Sequence, residues 1–271
     1  MSDPTGYAGY VDTRYLELAA ELARLDKRRT YEVMHVQLGQ RVLDVGSGPG
    51  IDTLALAALV GESGAVCGVD YDAAMVAEAD RRAIEAGAAA RVRHVVASAA
   101  SLPFADVTFD AARSERLLQH ISDPDAVLRE MNRVTRPGGW VVVLETDYSS
   151  LTIDSEQVEV ERRLARVAAE RVRSGYAARS LRRLFARAGL TDLTVEVRPQ
   201  VFTSYPVVRR GWLDAVEPVA LARGAVTPVE LARWHDELEA AEAGGAFFAS
   251  LNHILVAGMR APKNAADAEV R

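Results

Sequence analysis

Residues 42–50 read Val42-Leu43-Asp44-Val45-Gly46-Ser47-Gly48-Pro49-Gly50, an apolar strand that runs into a cluster of glycines. From Asp52 to Val60 the chain resumes as an apolar helix, so the segment is strand, tight turn, helix. Glycines in such a turn supply positive φ and let the backbone come close to a ligand, and the following helix offers free N–H donors at its N-terminus. A dinucleotide-binding dehydrogenase places its third glycine three residues after the second. Here that position is Ile51, and Gly50 comes two residues after Gly48, which argues against a nicotinamide cofactor.

Outward from this turn the pattern repeats. Ala65 to Val69 is a strand, Ala73 to Ala86 a helix ending at Gly87, and Val92 to Ala97 a strand. A loop around Pro103 leads to the strand Phe109 to Ala112, then to a helix from Asp125 to Val134, which Arg136-Pro137-Gly138-Gly139 stops. Trp140 to Glu145 is a further apolar strand. Alternation of this kind predicts parallel βαβ units with helices on both faces of a sheet. Beyond residue 150 the spacing predicts helices over Ser155–Arg173, Ser180–Ala188, Val207–Leu221 and Pro228–Ala243, with strands over Leu193–Val197 and Phe247–Met259. Upstream, Leu16, Leu18, Leu22 and Leu25 recur at helical spacing between Thr13 and Val36. The expected organisation is an N-terminal helical lid over residues 1–37, a Rossmann-like core over 38–150, the rest of the core with helical insertions over 151–260, and a frayed tail over 261–271.

The second strand ends in Gly68-Val69-Asp70, which puts a carboxylate at the strand's C-terminal edge, where it can accept hydrogen bonds from both hydroxyls of a ribose. The competing role for Asp70 is a helix cap, and Asp72, directly before the helix, fits that role better.

With the glycine loop and Asp70 in place, the sequence resembles the class I S-adenosylmethionine (SAM)-dependent methyltransferases, a family that includes ubiquinone/menaquinone C-methyltransferases and many small-molecule tailoring enzymes. The resemblance covers roughly residues 40–148. It rests on Leu43 to Gly50, Gly68-Val69-Asp70, Leu102-Pro103-Phe104-Ala105-Asp106, Phe109-Asp110, and the run from Leu128-Arg129-Glu130-Met131 through Arg133-Val134-Thr135-Arg136-Pro137-Gly138-Gly139. It implies a seven-stranded, mostly parallel Rossmann-like sheet, SAM as methyl donor, S-adenosylhomocysteine as product, and a small-molecule acceptor. It further implies that Gly46, Ser47 and Gly48 line the methionine end of SAM, that Asp70 holds the ribose, and that Tyr71 and Met75 flank adenine. Ser98 and Ala99 fall near the adenine amino group, where Ser98 replaces the family's usual acid and leaves a single hydroxyl to accept a hydrogen bond.

Arg113 and Ser114 follow on the fourth strand and are candidates for the methionine carboxylate or ammonium, the alternative being that Arg113 and Glu115 pair with neighbours. His120 is the candidate base, because a neutral imidazole can take a proton from an acceptor oxygen or nitrogen; its alternative is a purely structural histidine. Tyr15 on the lid, with Asp147 and Tyr148 beyond the fifth strand, are candidates for acceptor binding, and Glu145 shares that edge. Trp212, Trp234 and His235 at helical spacing read as core, and the arginines between Arg162 and Arg187 as a solvated helix face among Glu159, Glu161 and Glu170. No His/Asp/Glu cluster shows metal-ligand spacing, so no metal is expected.

The 271 residues carry a formal net charge of −6, which disfavours a nucleic-acid partner. No apolar run approaches a membrane span, and the single cysteine, Cys67, excludes an internal disulfide framework, so a cytoplasmic protein without membrane association is expected, as monomer or homodimer. Methyl transfer asks for alignment, exclusion of water and at times one proton removal, so the residues do not choose between O-, N- and C-methylation. The leading expectation is a small-molecule methyltransferase of natural-product or other secondary metabolism. The alternatives are a quinone-type C-methyltransferase and a non-methylating cyclase or binding scaffold on the same fold.

Overall fold

The computed structural model describes residues 24–262. Seven strands form one sheet in the order β3-β2-β1-β4-β5-β7-β6. These are β1 (Arg41–Val45), β2 (Ala65–Asp70), β3 (Val92–Val96), β4 (Phe109–Glu115), β5 (Thr135–Ile153), β6 (Leu190–Phe202) and β7 (Ala249–Arg260). The first five pair in parallel, and β7 lies antiparallel between β5 and β6, so the sheet is mixed but mostly parallel, as expected.

Before β1 comes α1 (Arg24–Val33), and α2 (Ile51–Val60), α3 (Ala73–Glu85) and α4 (Pro124–Val134) connect the parallel strands. One face of the sheet buries Val42, Val66, Ala111 and Val142 against Val33 and Met34 at the end of α1 and Leu56 and Val60 of α2. The other buries Leu43, Val45, Cys67 and Ala112 against Val127, Leu128 and Met131 of α4 and Leu181 and Phe185 of α6 (Ala177–Arg187). Alternate residues of β1 thus serve opposite cores, which is why the strand reads as a continuous apolar run. Caps start the helices where their side chains allow it. Asp72 accepts from the Ala74 N–H at 2.8 Å and Asp123 from the Ala126 N–H at 3.0 Å, ahead of Pro124.

The long strand β5 corrects the shorter Trp140–Glu145 expectation. Thr135 already pairs with Phe109, and the Pro-Gly-Gly that stops α4 is absorbed as an irregularity before Trp140 pairs with Ala111. A Cβ on Gly139 would stand 2.3 Å from the Asp110 carbonyl oxygen, so this close passage needs glycine. At its far end β5 bulges between Asp147, paired with Asn252, and Thr152, paired with Ser250. Strand β6 extends beyond Leu193–Val197 in both directions because β7 pairs with it as far as Phe202.

The remaining helices form a layer with its own core. They are α5 (Val158–Arg171), α7 (Tyr205–Val208), a π-helical turn (Arg209–Leu213), α8 (Asp214–Ala222) and α9 (Pro228–Ala243). The single helix expected over Val207–Leu221 is therefore broken at the π turn, and Pro218 sits inside α8. Trp234 is fully buried, and Trp212 meets Phe202 edge-on at 4.8 Å, so both tryptophans are packing residues. Arg163, Arg166 and Arg187 pair with Glu230, Glu170 and Asp125, as a charged helix face does. The N-terminal helices expected from Thr13 lie outside the described residues up to Arg24.

Candidate functional site

Parallel strands end together at one edge of the sheet, and the loops after β1, β2, β3, β4 and β5 converge there. The loop after β1 is fixed by its backbone. Gly46, Gly48 and Gly50 take φ of 77°, 50° and 78°, and the Gly46 and Ser47 N–H groups both donate to the Val69 carbonyl of β2. At Gly50 a Cβ would stand 2.8 Å from the Ala79 Cβ, so the loop presses directly on α3. His94 braces the same contact from β3, with Nε2 2.9 Å from Thr53 Oγ1 and Nδ1 2.8 Å from Asp80. At Gly48 the opposite holds: a Cβ would meet no atom within 4 Å.

Asp70 faces that open side. Its Oδ2 accepts from the Gly48 N–H and its Oδ1 from the Asp72 N–H, both at 2.9 Å. The carboxylate is thereby aimed, and each oxygen keeps a further lone pair for a hydroxyl. Tyr71 beside it is 79% exposed, a free ring face at a position suited to a base, and Met75 is half-buried one turn into α3. The Ala97 N–H donates to the Asp70 carbonyl, which brings the loop after β3 alongside. There Ser98 is exposed and its Oγ accepts from the Ala100 N–H at 3.3 Å, whereas Ala99 turns into the core.

Arg113 is placed differently from the methionine-contact expectation. Its guanidinium is fully buried, 3.3 Å from Asp44, 3.2 Å from Asp52 and 2.8 Å from Glu115. Lys27 of α1 adds a second cation, 2.5 Å from Asp52 and 2.9 Å from Glu115, and Tyr31 donates to Asp52 while its ring lies under Arg113. Burial raises the Asp44 carboxyl to about 7 against the pull of Arg113. Burial also acts to raise Asp52, but Arg113 and Lys27 outweigh it and hold that carboxyl below its usual range. Pairing with neighbours is therefore the role the structure gives Arg113. Lys27, Tyr31 and Asp52 were not singled out from sequence, although two charges inside the apolar strand β4, Arg113 and Glu115, already demanded buried partners.

Glu145 is also fully buried. Its Oε1 accepts from the Leu118 N–H at 2.6 Å, and backbone N–H groups of Leu117 and Gln119 point at the same carboxyl, yet burial dominates and raises it to about 8. The turn Leu118–His120 is thus held by a carboxyl from β5, and it begins after Arg116, whose φ is +51°. Leu117 lies over Gly46, 3.1 Å from where a Cβ would be. His120 is half-buried, and burial with the nearby Arg116 lowers its pKa. The same turn is tied to the segment between α5 and α6, because the Ser174 N–H donates to the Gln119 carbonyl and its Oγ to that of Ile121. Asp147 is buried, bonded to Arg179 at 2.7 Å and to the Ser149 hydroxyl, and Tyr148 packs against the helical layer. Tyr15 lies outside the described residues.

The site fits a polar, zwitterionic nucleoside on grounds internal to it. Ser47 Oγ after β1, Ser114 Oγ in β4, Gln119 Oε1 after β4 and Glu145 Oε2 within β5 are buried without a hydrogen-bond partner among the described residues, and Gly48, next to Ser47, leaves open space where a Cβ would be.

Comparison with known proteins agrees with this geometry. A protein of 37.1 kDa in transposon TN4556 of Streptomyces fradiae, uncharacterized, is 35% identical over 249 residues, 89% of this chain and 70% of that one. The ubiquinone/menaquinone biosynthesis C-methyltransferase UbiE of Azotobacter vinelandii is 41% identical over 128 residues, 47% of this chain, and the chain spans about half of that relative's length, 51%. Among solved structures, YcgJ of Bacillus subtilis superposes with a TM-score of 0.62 at 21% identity, covering 88% of this chain and 99% of that one, a likeness of fold. Residues 16–161 match the ubiE/COQ5 methyltransferase family, and with the glycine loop, Asp70 and the sheet order all in place, the chain belongs to that family of SAM-dependent methyltransferases.

Proposed function

We propose that the chain transfers the methyl group of SAM to a small-molecule acceptor seated over the ends of β4 and β5, in natural-product or other secondary metabolism of the cytoplasm. The observation that carries this reading is the direct bond from the Gly48 N–H to Asp70, which joins an open glycine loop to an aimed carboxylate. Asp70 holds the ribose hydroxyls, Tyr71 and Met75 flank the base, Ser98 meets its edge, and Gly46 to Gly48 with Ser114 line the methionine end. When bound, SAM supplies a methyl already activated on a sulfonium, so the protein's task is orientation and exclusion of water.

His120 is the residue for a proton. Its lowered pKa keeps the imidazole neutral near pH 7, and its Nε2 accepts from an acceptor O–H or N–H by exchanging the Gln119 Nε2 group, 3.0 Å away, for it. Residues 1–37 act as a lid, and the helical layer within 151–260 selects the acceptor together with Asp147 and Tyr148. The family match stops at residue 161, before α7, α8 and α9, so most of that helical layer lies outside it while Asp147 and Tyr148 lie inside. A quinone acceptor, as the UbiE name indicates for that relative, is the second reading.

Calorimetric titration with SAM, S-adenosylhomocysteine and NADH tests the cofactor. Saturable binding of the first two and none of the third is expected, and failure to bind either sulfur nucleoside would sink the reading. Release of S-adenosylhomocysteine only when an acceptor is present then separates a methyltransferase from a non-methylating cyclase or a scaffold.

A further inference from the structure

At the opposite edge of the sheet, where the parallel strands begin, lies a recess that methyl transfer does not use. The chain passes from β3 to β4 without a helix, as the loop 97–108, so this end of the sheet face is covered only in part. The recess left there is lined by Arg41, Cys67, Arg91, Arg93 and Phe109, among others. The exposed Arg41 and Arg93 and the half-buried Arg91 thus line one small cavity from the starts of β1 and β3 and the residue before β3.

The cavity is organised rather than merely basic. Phe104 and Phe109 meet edge-on at 5.0 Å, with the Arg93 guanidinium 5.9 Å from the Phe104 centroid and that of Arg41 5.9 Å from the Phe109 centroid. Arg93 stands in register with Cys67 across the β2–β3 pair. The Nε of Arg91 is buried and has no hydrogen-bond partner among the described residues. None of the three has a carboxylate partner among the described residues, whereas Arg81, Arg82, Arg133 and Arg136 each have one. The acid beside Phe109 is already engaged, since Asp110 accepts from the Arg41 backbone N–H at 2.6 Å and from Arg136 at 2.8 Å. Like charges gathered around one recess repel each other, and a planar guanidinium is shaped to bind a tetrahedral oxyanion through two parallel N–H groups.

We propose that this recess binds a small phosphate-type oxyanion, free phosphate or a phosphomonoester, at a site separate from the methyl-transfer site. Strand β1 separates the two: from Arg41 to Val45 the backbone advances about 13 Å at ~3.3 Å per residue. The lining itself supplies a reporter. Cys67 is the chain's only cysteine and is 3% exposed on the wall of the recess, so its reaction with a small neutral thiol reagent reads access to the cavity.

The experiment measures the methyl methanethiosulfonate labelling rate of Cys67 in the whole protein, with inorganic phosphate or glycerol 3-phosphate added and chloride adjusted to constant ionic strength. Phosphate at ~10 times its dissociation constant is expected to slow labelling about tenfold, as simple occupancy requires. Arg91→Gln and Arg93→Gln are each expected to remove the protection, with cooperative unfolding as the check that the variant is folded. Stronger protection by glycerol 3-phosphate assigns the site to a phosphomonoester, and equal protection assigns it to free phosphate. Calorimetric titration of the unmodified protein with phosphate gives a measurement independent of any variant, with saturable heat expected. Labelling unchanged by phosphate, protection retained in a folded Arg91→Gln protein, or dilution heat alone would overturn the proposal.

Discussion

Replacing Asp70 by alanine separates what this carboxylate does for the loop from what it does for the cofactor. In the protein alone it accepts the Gly48 and Asp72 N–H groups, both at 2.9 Å. Hydrogen bonds to a charged acceptor are worth about 1.5–3 kcal/mol each, but Asp70 is only half-buried and water can replace it, so a stability loss of about 1–3 kcal/mol is expected. With SAM or S-adenosylhomocysteine bound, two ribose hydroxyls lose the same acceptor. Two such bonds correspond to about 3–6 kcal/mol, or roughly 10²- to 10⁴-fold in affinity. Asp70→Asn is intermediate, because one carboxylate oxygen becomes an NH₂ that donates toward a group that also donates. The assay is calorimetric titration with S-adenosylhomocysteine, run beside urea unfolding to measure the stability part. A folded Asp70→Ala protein that binds the nucleoside with unchanged affinity would refute the ribose assignment and the loop geometry argued from it.

Further outcomes follow from the buried charges and the glycines. Arg113→Met leaves Asp44, Asp52 and Glu115 facing one another with Lys27 and Arg116 as the cations paired to them among the described residues, so a loss of about 3–5 kcal/mol by urea unfolding is expected, smaller at low pH where the acids take up protons; equal stability to the unsubstituted protein at pH 7 would contradict the network. Glu145 has a folded-state pKa raised from 4.5 to about 8, so the folded state holds a proton that the unfolded state releases, and its contribution is full below pH 4.5 and fades as pH rises through 8. The stability difference between the unsubstituted protein and Glu145→Gln should therefore move in favour of the variant across that window, and a pH-independent difference would count against the raised value. Gly48→Ala, with open space around its Cβ, is expected to cost about 1 kcal/mol of stability for its positive φ while weakening SAM binding strongly. Gly50→Ala, whose Cβ would press on Ala79, should instead cost several kcal/mol, about 2–4, in thermal or urea unfolding.

The parallel half of the sheet was legible because each of its strands is a short apolar run closed by a turn signal, and because Asp72 and Pro124 mark helix starts by their chemistry. The ends of β5 and β6 were not. Pairing with β4 starts β5 ahead of Pro137, and pairing with β7 extends β5 to Ile153 and carries β6 through Pro199; both prolines read locally as stops, a case of long-range partners overriding local preference. Of the site, the glycine loop and Asp70 were readable because their spacing is fixed by backbone geometry. The ion network on Arg113 was hidden because Lys27 and Tyr31 come from a helix whose face is set by packing, far from β4 in the chain. The recess at Arg41, Arg91 and Arg93 was equally hidden, since only the sheet brings the starts of β1 and β3 together.

The position of β7 orders the steps by which the molecule is made. Strand β6 has no place in the sheet until Ala249–Arg260 has left the ribosome and filled the gap beside β5. The same strand brings His253, whose Nδ1 lies 2.7 Å from Asp26 of α1, and β6 brings Arg198 to that acid and Glu196 to Arg29. Helix α1 is thus fastened in two stages, at Val33, Met34 and Lys27 by β1, β2, α2 and β4, and at Asp26 and Arg29 only once β7 and β6 are in the sheet. A chain cut short before β7 would hold β1 to β5 with one edge bare and α1 without its pairs at Asp26 and Arg29, a species prone to edge-to-edge association. Emergence of β7 is in this way coupled to completion of the sheet and to the pairing of Asp26 and Arg29.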